Sequence, residues 1–497
     1  MTRFAGVSAI APDLGRIFVS MGLVSCLPLL VGVLYREWSS LPAMAWAPLI
    51  FILFGLFLTR VPGDEREPPL SIALGSVALI WLVASFIGAL PFTLGIGMPY
   101  TDAVFEAMSG WTCTGLSLIP DVDAVSRTLL FWRSLMQWMG GIGVVALTVA
   151  LASRSSLTSF RLYRSEGRSE TLMPSVVATA VQMWRIYLLL TLAGVGLILL
   201  SGVSFWDAVN ICMTAIATGG FSVHTDGILY YDNALLEILI IPIMIAGALP
   251  FKIYYLIYFR HRFSAFGDYQ AYLLLLLIVF VSAVVVFDLV FLSAVEPLLA
   301  LRQGVFMVAS AITCTGFNNA LVIEWSSVTV LFISFFMLIG GSSGSTAGGI
   351  KLSRIILGGE ALLWWFRRLF RSGRTLVPFR HEGRHIERRV AEYEISKNML
   401  IVVLFFVVVF LATLTTLHLE GYTGFDSSDV IFDVVSAMAN VGLSTGYVNP
   451  GMSAASKWLF IAVMWVGRLE VIPVIALAMG LFRQIGLKRS ERGTPGE

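Results

Sequence analysis

The chain has 497 residues, 57% of them hydrophobic and only 13% charged, with a formal net charge of +2. That balance gives no sign of a nucleic-acid partner, and apolar runs near the ~20 residues that span a bilayer exclude a water-soluble globule. The four cysteines, Cys26, Cys113, Cys212 and Cys314, lack the paired spacing of a disulfide framework or a zinc site.

Two apolar runs come first, over about 17–34 and 43–58, joined by the short turn Tyr35-Arg-Glu-Trp-Ser. They predict an accessory membrane hairpin within residues 1–66, the first helix being kept as an anchor because no cleavage-site pattern precedes it. After it one unit recurs four times: an outer helix, a short re-entrant helix, a glycine loop and a return helix. The units occupy 67–168, 169–265, 266–356 and 397–497, the last with a basic tail. Residues 357–396 form a cytoplasmic insertion, whose stretch from Arg367 to Arg389 is too charged for lipid and holds a hairpin turn at His381-Glu-Gly-Arg. The prediction is therefore an all-α polytopic membrane protein with fourfold pseudo-symmetry and ten spanning helices.

The repeat rests on four similar stretches: Ser109-Gly-Trp-Thr-Cys-Thr-Gly115-Leu-Ser117, Thr214-Ala-Ile-Ala-Thr-Gly-Gly220-Phe-Ser222, Ser310-Ala-Ile-Thr-Cys-Thr-Gly316-Phe-Asn318 and Ser436-Ala-Met-Ala-Asn-Val-Gly442-Leu-Ser444. The glycines lie 105, 96 and 126 residues apart, and the insertion accounts for the last, longer interval. Start signals for the re-entrant helices are Thr101-Asp102, Ser204 with Asp207, and Asp426 to Asp429; the third start, near Arg302, is the weakest. Each helix would turn its carboxyl end, with its partial negative charge, toward the bundle centre.

Backbone carbonyls can replace an ion's water without a full charge that would trap it, and glycine permits the angles that turn them inward. The predicted filter is Thr112, Cys113, Thr114 and Gly115; Ala217, Thr218, Gly219 and Gly220; Thr313, Cys314, Thr315 and Gly316; and Ala439, Asn440, Val441 and Gly442. None is acidic, which disfavours a carboxylate ring of the kind expected for calcium. Basic residues concentrate in the loops of one face, taken as cytoplasmic, and Asp102, Asp121, Asp123, Asp226 and others in those of the opposite face.

This pattern resembles the Trk/Ktr/HKT superfamily of potassium transport proteins, the extra hairpin and the length being closest to the bacterial Trk-type membrane subunit. The resemblance runs from Leu70 to Phe482 and is strongest at the four loops and at Gly340-Gly-Ser-Ser-Gly-Ser-Thr-Ala-Gly-Gly-Ile-Lys351. It implies that potassium is the ion bound by Gly115, Gly220, Gly316 and Gly442, with Gly115, where some relatives carry serine, favouring potassium over sodium. It also implies a homodimer in the bacterial inner membrane with both termini cytoplasmic. A cytoplasmic nucleotide-binding regulatory subunit is implied too, so any nucleotide belongs to that partner.

Gly340, Gly341, Ser342, Ser343, Gly344, Ser345, Thr346, Gly348 and Gly349, followed by Lys351, cannot sustain a stable helix, since each glycine costs about 1 kcal/mol relative to alanine. The run should unwind beneath the filter. The resemblance makes it a mobile barrier; a tight helix-packing seam is the alternative. Ile350 before Lys351 excludes a phosphate-binding loop. Arg468, near the middle of the last apolar run, is either a salt bridge with Glu470 or another carboxylate, or a fixed positive charge beside the ion path. The resemblance supports the latter. No nucleophile and base arrangement emerges, so no enzyme is predicted, and the alternative function is symport of potassium with sodium or protons.

Overall fold

The computed structural model describes residues 10–62, 69–143, 175–261, 267–371, 377–420 and 424–480. The basic positions Arg3, Arg66, 154–168, Arg262 and 483–492, and the predicted end of the first repeat near Ser153, lie outside them. Among the described residues six helices are long and apolar enough to cross a membrane: Ala11–Leu34, Leu41–Thr59, Ser71–Ile96, Val177–Leu199, Tyr269–Phe291 and Arg388–Leu419. Two further passages are bent pairs, Ala234–Ala248 with Phe251–Arg260 at 94° and Ala454–Leu469 with Ile472–Gly480 at 112°. Arg127–Ile142, ending at Gly143, and Ser327–Met337, followed by Leu352–Leu369 after a non-helical loop, do not reach that length and apolar character, so the described residues give six spans, or eight with the bent pairs, where the sequence predicts ten. Leu400, Val403, Phe406, Phe410 and Leu414 stand exposed along one long helix, as hydrocarbon surroundings require.

Four shorter helices, Tyr100–Trp111, Phe205–Ile216, Pro297–Ile312 and Ser427–Ala439, are the predicted re-entrant helices and end at the glycine loops. Two predicted caps are found: Ser204 accepts from the Asp207 backbone, and Asp426 with Asp429 forms a capping box. Two starts differ. Asp102 makes no cap but a buried ion pair with Lys457, and Pro99 precedes the helix. The third helix begins at Pro297, ahead of the Arg302 start, because proline's fixed φ suits the first turn.

In the amino-terminal hairpin the backbones pack directly together. A Cβ on Gly15 or Gly55 would lie 2.6 Å from the other's carbonyl oxygen, the small-residue contact that brings helices close in lipid. Glu37 in its turn accepts from Arg127 N, Thr128 N and Thr128 Oγ1 at 2.9, 2.9 and 2.7 Å. A carboxylate thus sits at a helix amino terminus and fixes the hairpin to the first repeat. In the insertion, Phe379–His381 (β1) pairs with Arg384–Ile386 (β2) through Glu382 and Gly383, both at positive φ, which is the predicted hairpin turn.

A ring of four loops and the segment beneath it

All four loops leave their helices in one way. Cys113, Thr218, Cys314 and Asn440 hold φ of 56°, 51°, 55° and 54°. Each following residue returns a backbone hydrogen bond five residues back: Thr114 to Ser109, Gly219 to Thr214, Thr315 to Ser310 and Val441 to Ser436, all 2.9 Å. This is the Schellman ending, usually built on glycine. Here it falls on cysteine, threonine and asparagine, and the glycine expected to line a filter comes two residues later with φ between 74° (Gly220) and 99° (Gly442).

The loops close on one another. A Cβ on Gly115 would strike the carbonyl oxygen of Gly219, one on Gly220 that of Thr315, one on Gly316 that of Val441, and one on Gly442 that of Thr114. The order is cyclic. The added atom would also lie 3.0 Å from the next glycine's Cα at Gly316 and Gly442, and 3.1 Å at Gly220. Glycine is thus required because four backbones touch, which is more demanding than an open centre.

Side chains fasten the ring from behind. Thr112 and Thr114 share a hydroxyl hydrogen bond of 2.7 Å, as do Thr313 and Thr315. Asn440 Nδ2 donates to Thr114 Oγ1 at 2.9 Å and to Met464 O at 3.0 Å. Gln137 donates to Gly219 O and accepts from Phe221 N. Two buried carboxylates stand nine residues before a glycine of the ring, Gly115 and Gly442. Glu106 meets Arg133 Nε at 2.8 Å and accepts from Ser117 and Leu118. Asp433 accepts from Ser444, Thr445 and Val448, all neutral donors. On the acidic face, Asp123 is held below the ordinary carboxylate range: burial opposes this, but hydrogen bonds from Thr225 and His224 outweigh it.

The segment from Gly340 to Gly349 is non-helical and buried, or nearly so, against the ring. Thr346 Oγ1 reaches Ile216 O at 3.0 Å, Gly247 O at 2.9 Å and Thr218 Oγ1 at 3.2 Å. Ser342 N donates to Ala248 O, Ser343 N to Gln270 Oε1 and Phe251 N to Gly344 O. Gly348 lies so close to Ala439 O that a Cβ there would collide. The segment therefore touches the second and fourth loops together. Lys351 turns back onto Ala347 O.

Arg468 does not pair with Glu470, whose carboxylate is taken by Arg354. Its guanidinium instead donates to Thr346 O at 2.9 Å, Gly140 O at 2.5 Å and Gly141 O at 3.2 Å, three carbonyls that match a planar fork. Together with Trp81, Gly143, Lys351 and Glu470 it lines a cavity of about 40 Å³ at the segment's edge. The buried charges Glu106, Arg133, Glu237, Asp433 and Lys457 are not anticipated from the sequence, which singles out Arg468 as an intramembrane charge. For two of them a signal existed: Glu106 and Asp433 occupy equal offsets from Gly115 and Gly442, each with a serine two residues beyond the glycine.

The sequence profile of the TrkH family, described as cation transport protein, matches residues 50–484. An uncharacterized cation transporter of Methanocaldococcus jannaschii is 36% identical over 96% of each chain. The Trk system potassium uptake protein TrkH of Escherichia coli K12 is 28% identical over 94% of this chain and 98% of its own. The crystal structure of the potassium transporter TrkH from Vibrio parahaemolyticus superposes with a TM-score of 0.82 at 24% identity, covering 95% of this chain and 98% of that one. With a family match over most of its length and the same all-helical membrane fold, this chain belongs to the TrkH family of cation transport proteins.

Proposed function

We propose that the protein takes up potassium through the ring of four loops, with the segment Gly340 to Gly349 as its gate. The observation that carries this reading is the cyclic closure of Gly115, Gly220, Gly316 and Gly442 onto the carbonyls of Gly219, Thr315, Val441 and Thr114. A single chain thereby supplies four backbone strands around one axis, the arrangement that replaces an alkali ion's hydration shell. Relatives named as potassium uptake proteins supply the choice of ion. The same reading takes the chain as a homodimer in the bacterial inner membrane with both termini cytoplasmic, regulated by a nucleotide-binding partner on the basic face.

One observation favours coupled symport as a second reading. Asp433 is fully buried and every hydrogen bond it accepts comes from a neutral donor, so its charge could be discharged by a proton. Flux into liposomes of purified protein separates the two. Uptake of potassium and rubidium above sodium and lithium, driven by imposed voltage alone, is the expected result. Uptake that requires a sodium or proton gradient would replace the channel reading, and equal passage of all four ions would sink potassium selectivity.

A further inference from the structure

The second loop differs from its neighbours: it alone has glycine before the filter glycine, where Thr114, Thr315 and Val441 stand in the others. The cause lies on the first return helix. Gln137 is fully buried there, and a Cβ on Gly219 would come within 2.5 Å of its carboxamide carbon and oxygen. The carboxamide donates from Nε2 to Gly219 O at 2.6 Å and accepts at Oε1 from Phe221 N at 3.0 Å. Its orientation is fixed by that pair, because the flipped amide would set oxygen against oxygen and N–H against N–H.

These two bonds straddle Gly220. They also take up one of the four oxygens at the seams of the ring, the one faced by Gly115. Among the described residues the corresponding oxygens of Thr114, Thr315 and Val441 accept no hydrogen bond. The ring is thus three oxygens of one kind and one of another. An oxygen already engaged by an N–H offers less negative potential to a cation and cannot swing to follow a smaller one.

We propose that Gln137 is a specificity-determining positioning residue, holding the Gly219 carbonyl at a fixed place in the ring so that the site cannot contract around sodium. This rests on the reading of the four loops as the ion path. Cavity size and carbonyl field strength both set discrimination between potassium and sodium, and Gln137 acts on both at one seam.

The test uses the full-length protein in liposomes, reading the potassium-to-sodium flux ratio together with folded yield. Gln137→Leu removes both bonds at similar volume, whereas Gln137→Glu keeps an acceptor for Phe221 N and loses the donor to Gly219 O. Both variants should lower the ratio, by roughly tenfold at most for the loss of a hydrogen bond's net worth, with sodium flux rising. An unchanged ratio in either well-folded variant overturns the proposal, as does loss of folded yield in both. Gly316→Ser is the discriminating control. If it changes the ratio and the Gln137 variants do not, this inference fails alone; if none of the three changes it, the loops are not the ion path.

Discussion

At Cys113, Thr218 and Cys314 a side chain sits in the left-handed region, which costs about 1–2 kcal/mol per residue outside glycine and asparagine. The angle recurs at one position of every loop, with Asn440 in the fourth, so it belongs to the shape that four converging helix ends must take. Gly316 shows how little that shape forgives. A serine Cβ there would meet the Val441 carbonyl and lie 3.0 Å from Gly442 Cα, and both obstacles are backbone. Gly316→Ser should therefore lower the potassium-to-sodium flux ratio and also cost thermal stability, by about 1–2 kcal/mol for the φ alone. Unchanged flux ratios in Gly316→Ser and Gly115→Ser would remove these loops from the ion path. The glycine register is legible in sequence because it repeats. Gln137 is not, because its partners lie 82 and 84 residues away and a lone glutamine in an apolar helix carries no periodic signal. What could be read is the doublet Gly219-Gly220, whose extra glycine is the imprint of that side chain.

Each return helix ends or bends where it passes the ring, and the causes differ. The first stops at Gly143, with φ of 90°, and the second bends between Ala248 and Phe251, at Pro250. The fourth turns at Glu470 and Val471, with φ of 61° and 68°, and the third opens into the Gly340 to Gly349 segment. Only the third was legible, through its glycines and serines. The fourth has Pro473 just past its break, which has no N–H to donate to the Leu469 carbonyl, and Glu470 within the break is held by Arg354. Within the third break the side chain of Thr346 bridges to the end of the second re-entrant helix and to the second return segment. Its hydroxyl is the contact by which a barrier would be latched to the ring. Thr346→Val keeps the volume and removes those bonds, each worth about 0.5–1.5 kcal/mol net. Resting cation flux should rise several-fold while the ion ratio stays as in the native protein. If Thr346→Val folds normally and its flux only falls, the segment is a packing seam and the gate reading is wrong.

Across the whole molecule, polar ties bind successive repeats at all four seams, Arg354 of the third pairing with Glu470 of the fourth. Arg133 of the first repeat donates to Ser222 O of the second, Glu237 of the second pairs with Arg302 of the third at 2.7 Å, and Lys457 of the fourth pairs with Asp102 of the first at 2.8 Å. Arg468 adds a different kind of tie, because its guanidinium joins carbonyls of the first repeat and of the Gly340 to Gly349 segment from its own place in the fourth. Two effects then depend on one side chain. Its charge opposes a cation 6 Å away by roughly 2.8 kcal/mol at an effective dielectric of ~20, and its fork holds the segment in place. Arg468→Ala removes both, and no carboxylate is orphaned because Glu470 keeps Arg354. Folded yield should therefore hold while cation flux increases, by about a hundredfold at most. Arg468→Lys separates the two effects, since an ammonium keeps the charge but cannot reproduce a planar fork to three carbonyls. Flux near the native value in the lysine variant assigns the barrier to charge, and flux between the native and alanine values assigns part of it to the tie. Reduced yield together with reduced flux in Arg468→Ala would mean that the guanidinium only supports the fold, and that the ion path does not pass it.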